Sequence, residues 1–429
     1  MEQRTTKNPN LLIYKIFLAL LIVGMHAEYQ FSRFTFLGKD MQYSSVEFVI
    51  GFSILFLCGY VLYTRMDLKE IFKEKILWWI LSFFCLSLIL STIFARYKVE
   101  AIKYDIRIMA TMLLFFLLLQ FLSKERFKEF ALIVFNVLGM AVCLVCILKY
   151  FDVGWVNHMF GSWGRGSRTV YSASIFQHNN VFGNWLVLLI FITLGQLKEI
   201  TNKTYRIWLG VSIGLFAFTL PLTTSRNAWV ALLAAGGFYL WIKRKHSASL
   251  KTAAIVLSFF LIGLIAIPQA RTRLIQTKNQ LLSFDNYFSA PAHRPDLYRN
   301  SLMIFKSQPF FGVGLNNYKN VFYEFGEYSK GYHGVFNAHN QYLNILAEQG
   351  AFGFIVFMGF VGYLIALGIG NIRRGGNEFF ALAIFAYLIG ELFDYLWYDY
   401  SFIFMFWFVV ILNILEKRRL DDVFLEESP

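Results

Sequence analysis

The sequence predicts an all-α polytopic membrane protein with about twelve transmembrane helices. Two observations carry this prediction. The composition is 57% hydrophobic and only 16% charged over 429 residues, a balance typical of chains that are buried in lipid. Apolar runs of about 17 to 25 residues, the length that a helix needs to cross a bilayer, recur along the whole chain. No stretch as long as a soluble domain remains, so residues 1–429 are predicted to form a single integral membrane domain.

Each predicted span is one of these apolar runs, and polar or charged residues lie on both sides of it. In chain order the spans are Leu11–Ala27, Val46–Tyr63, Ile76–Phe94, Ile106–Leu122, Phe130–Tyr150, Ile175–Leu197, Ile207–Leu222, Ala228–Ile242, Ala253–Ile267, Phe352–Ile369, Phe379–Trp397 and Ser401–Leu415.

The basic connections between the spans predict the orientation of the chain. Every second connection is short and rich in Lys and Arg, as in RMDLKEIFKEK (Arg65 to Lys75) and KRKHSASLK (Lys243 to Lys251). By the positive-inside rule these connections and both termini face the cytoplasm. The remaining connections then face outward, among them a long periplasmic loop over residues 268–350.

The formal net charge of +13 is explained in large part by the cytoplasmic connections, which meet anionic lipid head groups. This location disfavours a nucleic acid as partner. The outward connections also carry arginines that topology does not require, and they indicate an anionic partner on that side. These arginines are Arg165, Arg168, Arg226, Arg271, Arg273, Arg294 and Arg299.

The loop over residues 268–350 is long enough to contain structure of its own. It begins with RTRLIQTKNQLLSFD, a helix-like pattern with basic residues on one side. Pro295–Lys306 follows as an amphipathic helix that begins with a proline in its first turn and ends before Pro309. We expect this helix to lie along the membrane surface. The chain then reaches His339 and re-enters the bilayer.

Three motifs resemble the O-antigen ligase and O-antigen polymerase superfamily. His339 and Asn340 precede QYLNILAEQ and the paired glycines Gly350 and Gly353. TTSRNAWVALLAA is similar to the superfamily's arginine at the outer mouth of a membrane helix, and HRPDLYRNSLMIFKSQPFFGVGLNNY to its arginine-bearing helix followed by Pro-x-x-Gly-x-Gly. FQHNNVFGNW is a weaker match. The resemblance covers residues 175–370.

The resemblance implies a fold and a reaction. Members of the superfamily transfer a preassembled glycan from undecaprenyl diphosphate to an acceptor hydroxyl at the periplasmic face. They do so with inversion and without a cofactor, and they share a GT-C-like helical architecture with other lipid-carrier glycosyltransferases. The expected partners are therefore the lipid-linked donor, a lipid A core or lipid-linked glycan acceptor, and membrane lipids.

The matched motifs also imply site residues. His339 is the expected general base, because imidazole titrates near neutral pH. Arg226 and Arg294 are expected to bind the diphosphate, which guanidinium groups can hold bidentately. Either arginine could instead contact lipid at the interface. Asn340 is expected to support His339 or to cap the incoming helix, and Arg299, one turn further along its helix, is a lesser candidate. Asn180 and His178 could belong to the site, although capping and packing explain them equally well.

We expect the reaction to be independent of metal ions. Related membrane glycosyltransferases use an acidic residue of the first outward loop together with a divalent ion. Here that loop offers only Glu28 and Asp40, which are well apart. The arginines could supply the positive charge instead, so activity is expected to persist in excess EDTA.

Acidic residues near the end of the predicted bundle form a separate candidate. Glu391, Asp394 and Asp399 lie in GELFDYLWYDYS, and ionisable groups near membrane depth are candidates for function. The preferred interpretation is a structural partnership with an outward arginine, and the second is acceptor binding.

Three functions remain open from the sequence. A ligase acting on lipid A core is favoured by the His-Asn spacer pattern and the single large outward loop. A polymerase of O-antigen, capsule or exopolysaccharide would need the same donor site and base. Phe354 and Ile355 stand where many ligases carry polar residues, so the acceptor stays open. A transporter or flippase is disfavoured, because no internal repeat is visible and the polar residues gather on one face.

Overall fold

The computed structural model describes residues 9–26, 30–36, 39–64, 72–156, 174–176, 178–243, 247–282, 294–325, 337–397 and 399–426. The helices are α1 (Pro9–Gly24), α2 (Ser45–Thr64), α3 (Lys75–Phe94), α4 (Lys98–Leu122), α5 (Glu125–Tyr150), α6 (Asn179–Glu199), α7 (Lys203–Thr219), α8 (Arg226–Ile242), α9 (Ser247–Ala266), α10 (Pro268–Leu282), α11 (Arg294–Ser307), α12 (Tyr318–Val321), α13 (Gln341–Arg373), α14 (Glu378–Gly390) and α15 (Tyr400–Glu426). The strands are β1 (Gln30–Phe36) and β2 (Lys39–Ser44).

Each predicted span coincides with a helix, in the predicted order, and the chain is a multi-pass helical membrane protein. Within the described residues, eight helices are long and apolar enough to cross a bilayer, and nine if a bent pair counts as one span. Leu11–Gly24 and Glu378–Gly390 are apolar but shorter. A total of twelve spans therefore stays a prediction.

Several helices extend beyond the predicted spans, and two predicted boundaries differ from the structure in ways that bear on the site. Helix α13 begins at Gln341, well before the predicted start at Phe352, because its first turns are polar and are covered by the loop instead of lipid. Helix α14 ends at Gly390 instead of continuing to Trp397. After Gly390 the backbone turns through hydrogen bonds from Leu392 and Phe393, and it then crosses the beginning of α13.

The connection between α1 and α2 contains a structure that the sequence did not predict. Strands β1 and β2 pair antiparallel, with Ser32 opposite Tyr43 and Phe36 opposite Lys39. The register shifts between Gln30 and Ser32.

The basic connections after α6 and α8 meet the connection before α14 at one end of the bundle. Glu378 forms ion pairs with Lys198 and Lys243. The Asn377 side chain donates to Glu199 at 2.8 Å. The contacts show that these connections share one end, as the alternation of basic connections predicts. The opposite end, which the sequence predicts to face outward, is called here the outward end.

Helix α13 is broken at Gly350, where a segment of the long loop packs into it. Gly350 has φ 67° and ψ −167°, so the helical hydrogen bonds cannot continue through this residue. Residues 309–314 supply replacements by pairing with the broken turn. The bonds run from Val313 N to Ala347 O (3.2 Å), Gly314 N to Glu348 O (2.9 Å), Ala351 N to Pro309 O (2.7 Å) and Phe352 N to Phe310 O (3.2 Å). We call this arrangement the glycine interlock.

Glu348 anchors the rest of the loop beside the glycine interlock. Its carboxylate is buried and accepts hydrogen bonds from the Tyr318 amide at 3.0 Å and from the Asn344 side chain at 2.9 Å. Leu297 and Ile304 of α11 belong to a buried apolar cluster that also contains Ala347 of α13. Helix α11 is therefore fixed against the first part of α13.

We expect Gly350→Ala to destabilise the protein by about 1 to 3 kcal/mol, because L-residues rarely adopt this φ. The added Cβ would also lie 2.5 Å from the carbonyl carbon of Phe310. Gly359→Ala in the same helix is the matched control, since no atom lies within 4 Å of the added carbon. The measurement is the thermal unfolding midpoint in detergent. Equal midpoints for the two variants would show that the glycine interlock does not require glycine.

Candidate active site

His339 lies in a tight turn immediately before α13. Its φ of 48° is left-handed, and its amide donates to Oδ1 of Asn337 at 2.9 Å. The next residue, Asn340, caps α13 by accepting a hydrogen bond from the Leu343 amide at 3.0 Å. Capping the helix is one of the two roles expected for Asn340 from the sequence. The Asn340 side chain also donates to the carbonyl of Leu392 at 2.9 Å, which holds the turn against the chain after α14.

The imidazole of His339 is paired with a buried carboxylate. Nδ1 of His339 lies 2.8 Å from Oδ1 of Asp394. The histidine side chain is 39% exposed, whereas that of Asp394 is 2% exposed, so the pair connects the surface to the interior. Nε2 makes no hydrogen bond among the described residues. Asp394 was expected to pair with an outward arginine, and this expectation is wrong because its partner is His339.

The hydrogen bonds continue from Asp394 to two other helices. The Asn180 side chain donates to Oδ2 of Asp394 at 2.6 Å, and the Ser225 hydroxyl donates to Oδ1 of Asn180 at 2.9 Å. Ser225 caps α8, which begins at Arg226. The series from His339 through Asp394 and Asn180 to Ser225 is called here the site network. It brings together residues that are far apart in the sequence.

Electrostatics keep Asp394 ionised. Burial alone would raise the pKa of this carboxyl, but the hydrogen bonds from His339 and Asn180 and the charge of His339 outweigh it. The pKa of Asp394 is therefore held below its ordinary value, and its carboxylate can hold the His339 ring in one orientation.

His178 lies beside the site network and caps α6. Its Nδ1 accepts a hydrogen bond from the Asn180 amide at 3.3 Å. Burial and the nearby His339 lower the pKa of His178, while Asp394 opposes the shift. The structure thus brings His178 and Asn180, both predicted supporting residues, to the same place as His339.

The two predicted diphosphate arginines differ in their surroundings. Arg226 directly follows Ser225, the last residue of the site network, in the chain. Its Nη1 donates to the Thr277 hydroxyl at 3.2 Å. Arg294 is the first residue of α11 and is partly exposed. No hydrogen bond or ion pair of the described residues links Arg294 to the site network. Arg299, on the same helix, is exposed and lies 3.8 Å from Asp296. Arg165 and Arg168 lie outside the described residues.

Three buried polar side chains lie next to the site network, and of these sequence reasoning singled out Glu391 but missed Asn227 and Gln341. Asn227, Gln341 and Glu391 are buried, and in the part of the chain that the structure describes their side-chain oxygens and nitrogens make no hydrogen bond of ordinary geometry. The Gln341 amide donates to the carbonyl of Glu391 at 3.0 Å. A buried polar group without a partner requires an explanation, and catalysis or binding is one. The available signal for the two missed residues was their position in the sequence, because Asn227 directly follows Arg226 and Gln341 directly follows Asn340.

No group of three or more His, Cys, Asp or Glu side chains in the described ranges is placed to hold a metal ion. Asp399, the remaining acidic candidate, caps α15 by accepting a hydrogen bond from the Phe402 amide at 3.1 Å.

We expect Asn180→Asp to place two carboxyl groups within hydrogen-bond distance, because the Asn180 side chain now donates to Asp394 at 2.6 Å. The new carboxyl should have a pKa above its unfolded value of about 3.9. Below the unfolded pKa of about 3.9, both states keep this proton and the free energy of unfolding is not lowered by the new charge. As the pH rises from there toward the raised folded pKa, the unfolded state loses the proton first, so the free energy of unfolding falls. Thermal unfolding midpoints between pH 5 and pH 8 would measure this trend.

Asn179→Asp is the control for this variant, because the Asn179 side chain donates to the Thr224 hydroxyl at 3.3 Å and not to Asp394. The same pH dependence in both variants would contradict an ionised Asp394 in the site network.

Comparison with known proteins agrees with the motifs. Residues 211–358 match the family model described as O-antigen ligase. No curated protein matches the chain. The matched residues include Arg226, Arg294 and His339, together with both sides of the glycine interlock. This match confirms the resemblance to the O-antigen ligase superfamily over residues 211–358.

Proposed function

We propose that this protein is a glycosyltransferase that moves a preassembled glycan from undecaprenyl diphosphate to an acceptor hydroxyl, as an O-antigen ligase acting on lipid A core. The observation that carries the proposal is the pairing of His339 with the buried Asp394. The hydrogen bonds continue from Asp394 to Ser225, the residue directly before Arg226. The site would face the periplasm, with both termini in the cytoplasm, as the basic connections predict.

In the proposed reaction the acceptor oxygen attacks the anomeric carbon of the glycan, and the bond from that carbon to the diphosphate oxygen breaks. The acceptor proton passes to Nε2 of His339, the ring nitrogen that does not face Asp394. The Asp394 carboxylate stabilises the imidazolium that forms. Attack from the side opposite the leaving group inverts the anomeric centre.

The leaving undecaprenyl diphosphate gains negative charge, which Arg226 and Arg294 would bind. A guanidinium group matches two phosphate oxygens, and cations that are already in position stabilise the transition state more than most other catalytic devices. Arg226 is held by Thr277 at the beginning of α8. Arg294 begins a helix that the apolar cluster with Ala347 fixes on α13. We propose that these two cations make a divalent metal ion unnecessary.

A polymerase, in which the acceptor is another lipid-linked repeat, is the second candidate, because it requires the same donor site and base. A deletion strain separates the two. Loss of long chains from lipid A while polymer remains on undecaprenyl diphosphate supports the ligase. Single repeats capping the core support the polymerase, and unchanged polysaccharide on the core contradicts both.

We expect His339→Ala and His339→Asn to lower turnover of the purified protein by about 10² to 10⁴, the usual contribution of a general base. The assay measures transfer from a lipid-linked donor to an acceptor. Asn202→Ala is the control, because it removes the cap of α7 at the other end of the bundle, at a cost of about 1 kcal/mol, and does not touch the site network. If either His339 variant remains folded and retains near-wild-type turnover, the histidine is structural.

A further inference from the structure

Helix α10 leaves the bundle at a right angle. The segments Ala253–Ala266 and Pro268–Lys278 form an angle of 92°, and the bend falls at Pro268, the first residue of α10. Helix α9 is apolar, with Ile262 and Ile265 exposed on its surface as expected for contact with lipid tails. If α9 crosses the bilayer, a helix perpendicular to it lies along the membrane plane at the outward end.

The composition of α10 suits the boundary between lipid and water. Its sequence PQARTRLIQTKNQLL contains three basic residues and no acidic residue. Leu274 is 41% exposed and Ile275 59% exposed, so apolar side chains project from the same helix as Arg271 and Lys278, which are also exposed. No ion pair among the described residues neutralises the three basic side chains. Exposed apolar residues beside uncompensated positive charge characterise helices that bind anionic membrane surfaces.

The opposite side of α10 contacts the bundle and the candidate site. Ala270 is fully buried. The Thr277 hydroxyl accepts the hydrogen bond from Arg226 and donates to the carbonyl of Arg273 at 2.8 Å. The helix that carries the basic residues therefore also holds Arg226, so the position of α10 affects the position of this guanidinium group.

We propose that α10 is a binding site for anionic phospholipids of the outward leaflet, whose phosphate groups bind Arg271, Arg273 and Lys278 while their acyl chains contact Leu274 and Ile275. Charge complementarity and the adjacent apolar residues select this occupant: a soluble anion would leave Leu274 and Ile275 in water. The bound lipid holds α10 on the bundle and thereby keeps Arg226 in place. Only this last consequence depends on the proposed function.

The test measures local lipid composition and does not measure transfer. Ile275→Cys is labelled with a bimane fluorophore in the full chain, which is then placed in vesicles that contain either brominated phosphatidylglycerol or brominated phosphatidylcholine. Each Lys or Arg near a membrane surface strengthens its association with anionic lipid by roughly fivefold. We therefore expect bimane quenching to be at least about five times stronger with the anionic lipid, and to weaken as salt rises from about 0.1 to 1 M.

Replacing Arg271, Arg273 and Lys278 by Gln should make the two lipids quench equally. The matched control replaces three exposed basic residues at the other end of the bundle, Lys203, Lys251 and Arg373, by Gln. It should leave the preference at position 275 unchanged. Equal quenching in the unmodified background, or a preference that survives the α10 substitutions, would overturn the proposal. A preference shown only for an added polyprenyl diphosphate would also overturn it, because the surface would then belong to the donor.

Discussion

The buried carboxylate of Asp394 is the constraint on which the outward end of the bundle depends. An ionised carboxylate removed from water is unfavourable unless it is paired and hydrogen-bonded. Asp394 satisfies this requirement with His339, with Asn180 and with the Tyr395 amide at 2.9 Å. Because these partners come from the beginnings of α13 and α6 and from the chain after α14, one charge fixes the relative positions of three segments. Ser225 extends the same constraint to α8.

The glycine interlock is a second constraint, and it acts on the long loop. A broken helix exposes backbone groups that lipid cannot satisfy, and residues 309–314 satisfy those around Gly350. The loop is thereby attached to the same helix whose first turn follows His339. Arg294, at the beginning of α11, and His339, directly before α13, are therefore both positioned by the first part of α13. Gly312 and Gly350 are explained by this contact, because an added Cβ at either residue would lie within 2.6 Å of backbone atoms of the opposite segment. An added Cβ at Gly314 would instead lie 2.5 Å from the Cβ of Ala95.

Hydropathy predicted the helices well because lipid contact alone requires long apolar runs. The amphipathic helix predicted over Pro295–Lys306 is found as Arg294–Ser307, since proline at the first turn is a local signal. The break at Gly350 was missed, because its conformation depends on a partner segment and not on neighbouring residues. The partner of Asp394 was also missed. It lies 55 residues away in the chain, and nothing in the local sequence distinguishes a histidine from an arginine as the group that meets a buried acid.

The backbone at His339 indicates that its ring is positioned by the fold. A non-glycine residue with φ 48° is strained, and such strain persists only where surrounding contacts determine the conformation. Here Asn337 binds the amide of His339, Asn340 is tied to Leu392, and Asp394 holds the ring. The protein itself makes all three contacts. In the proposed reaction a ring held in this way would lose little freedom on acting as the base, and a preorganised site stabilises developing charge without rearrangement.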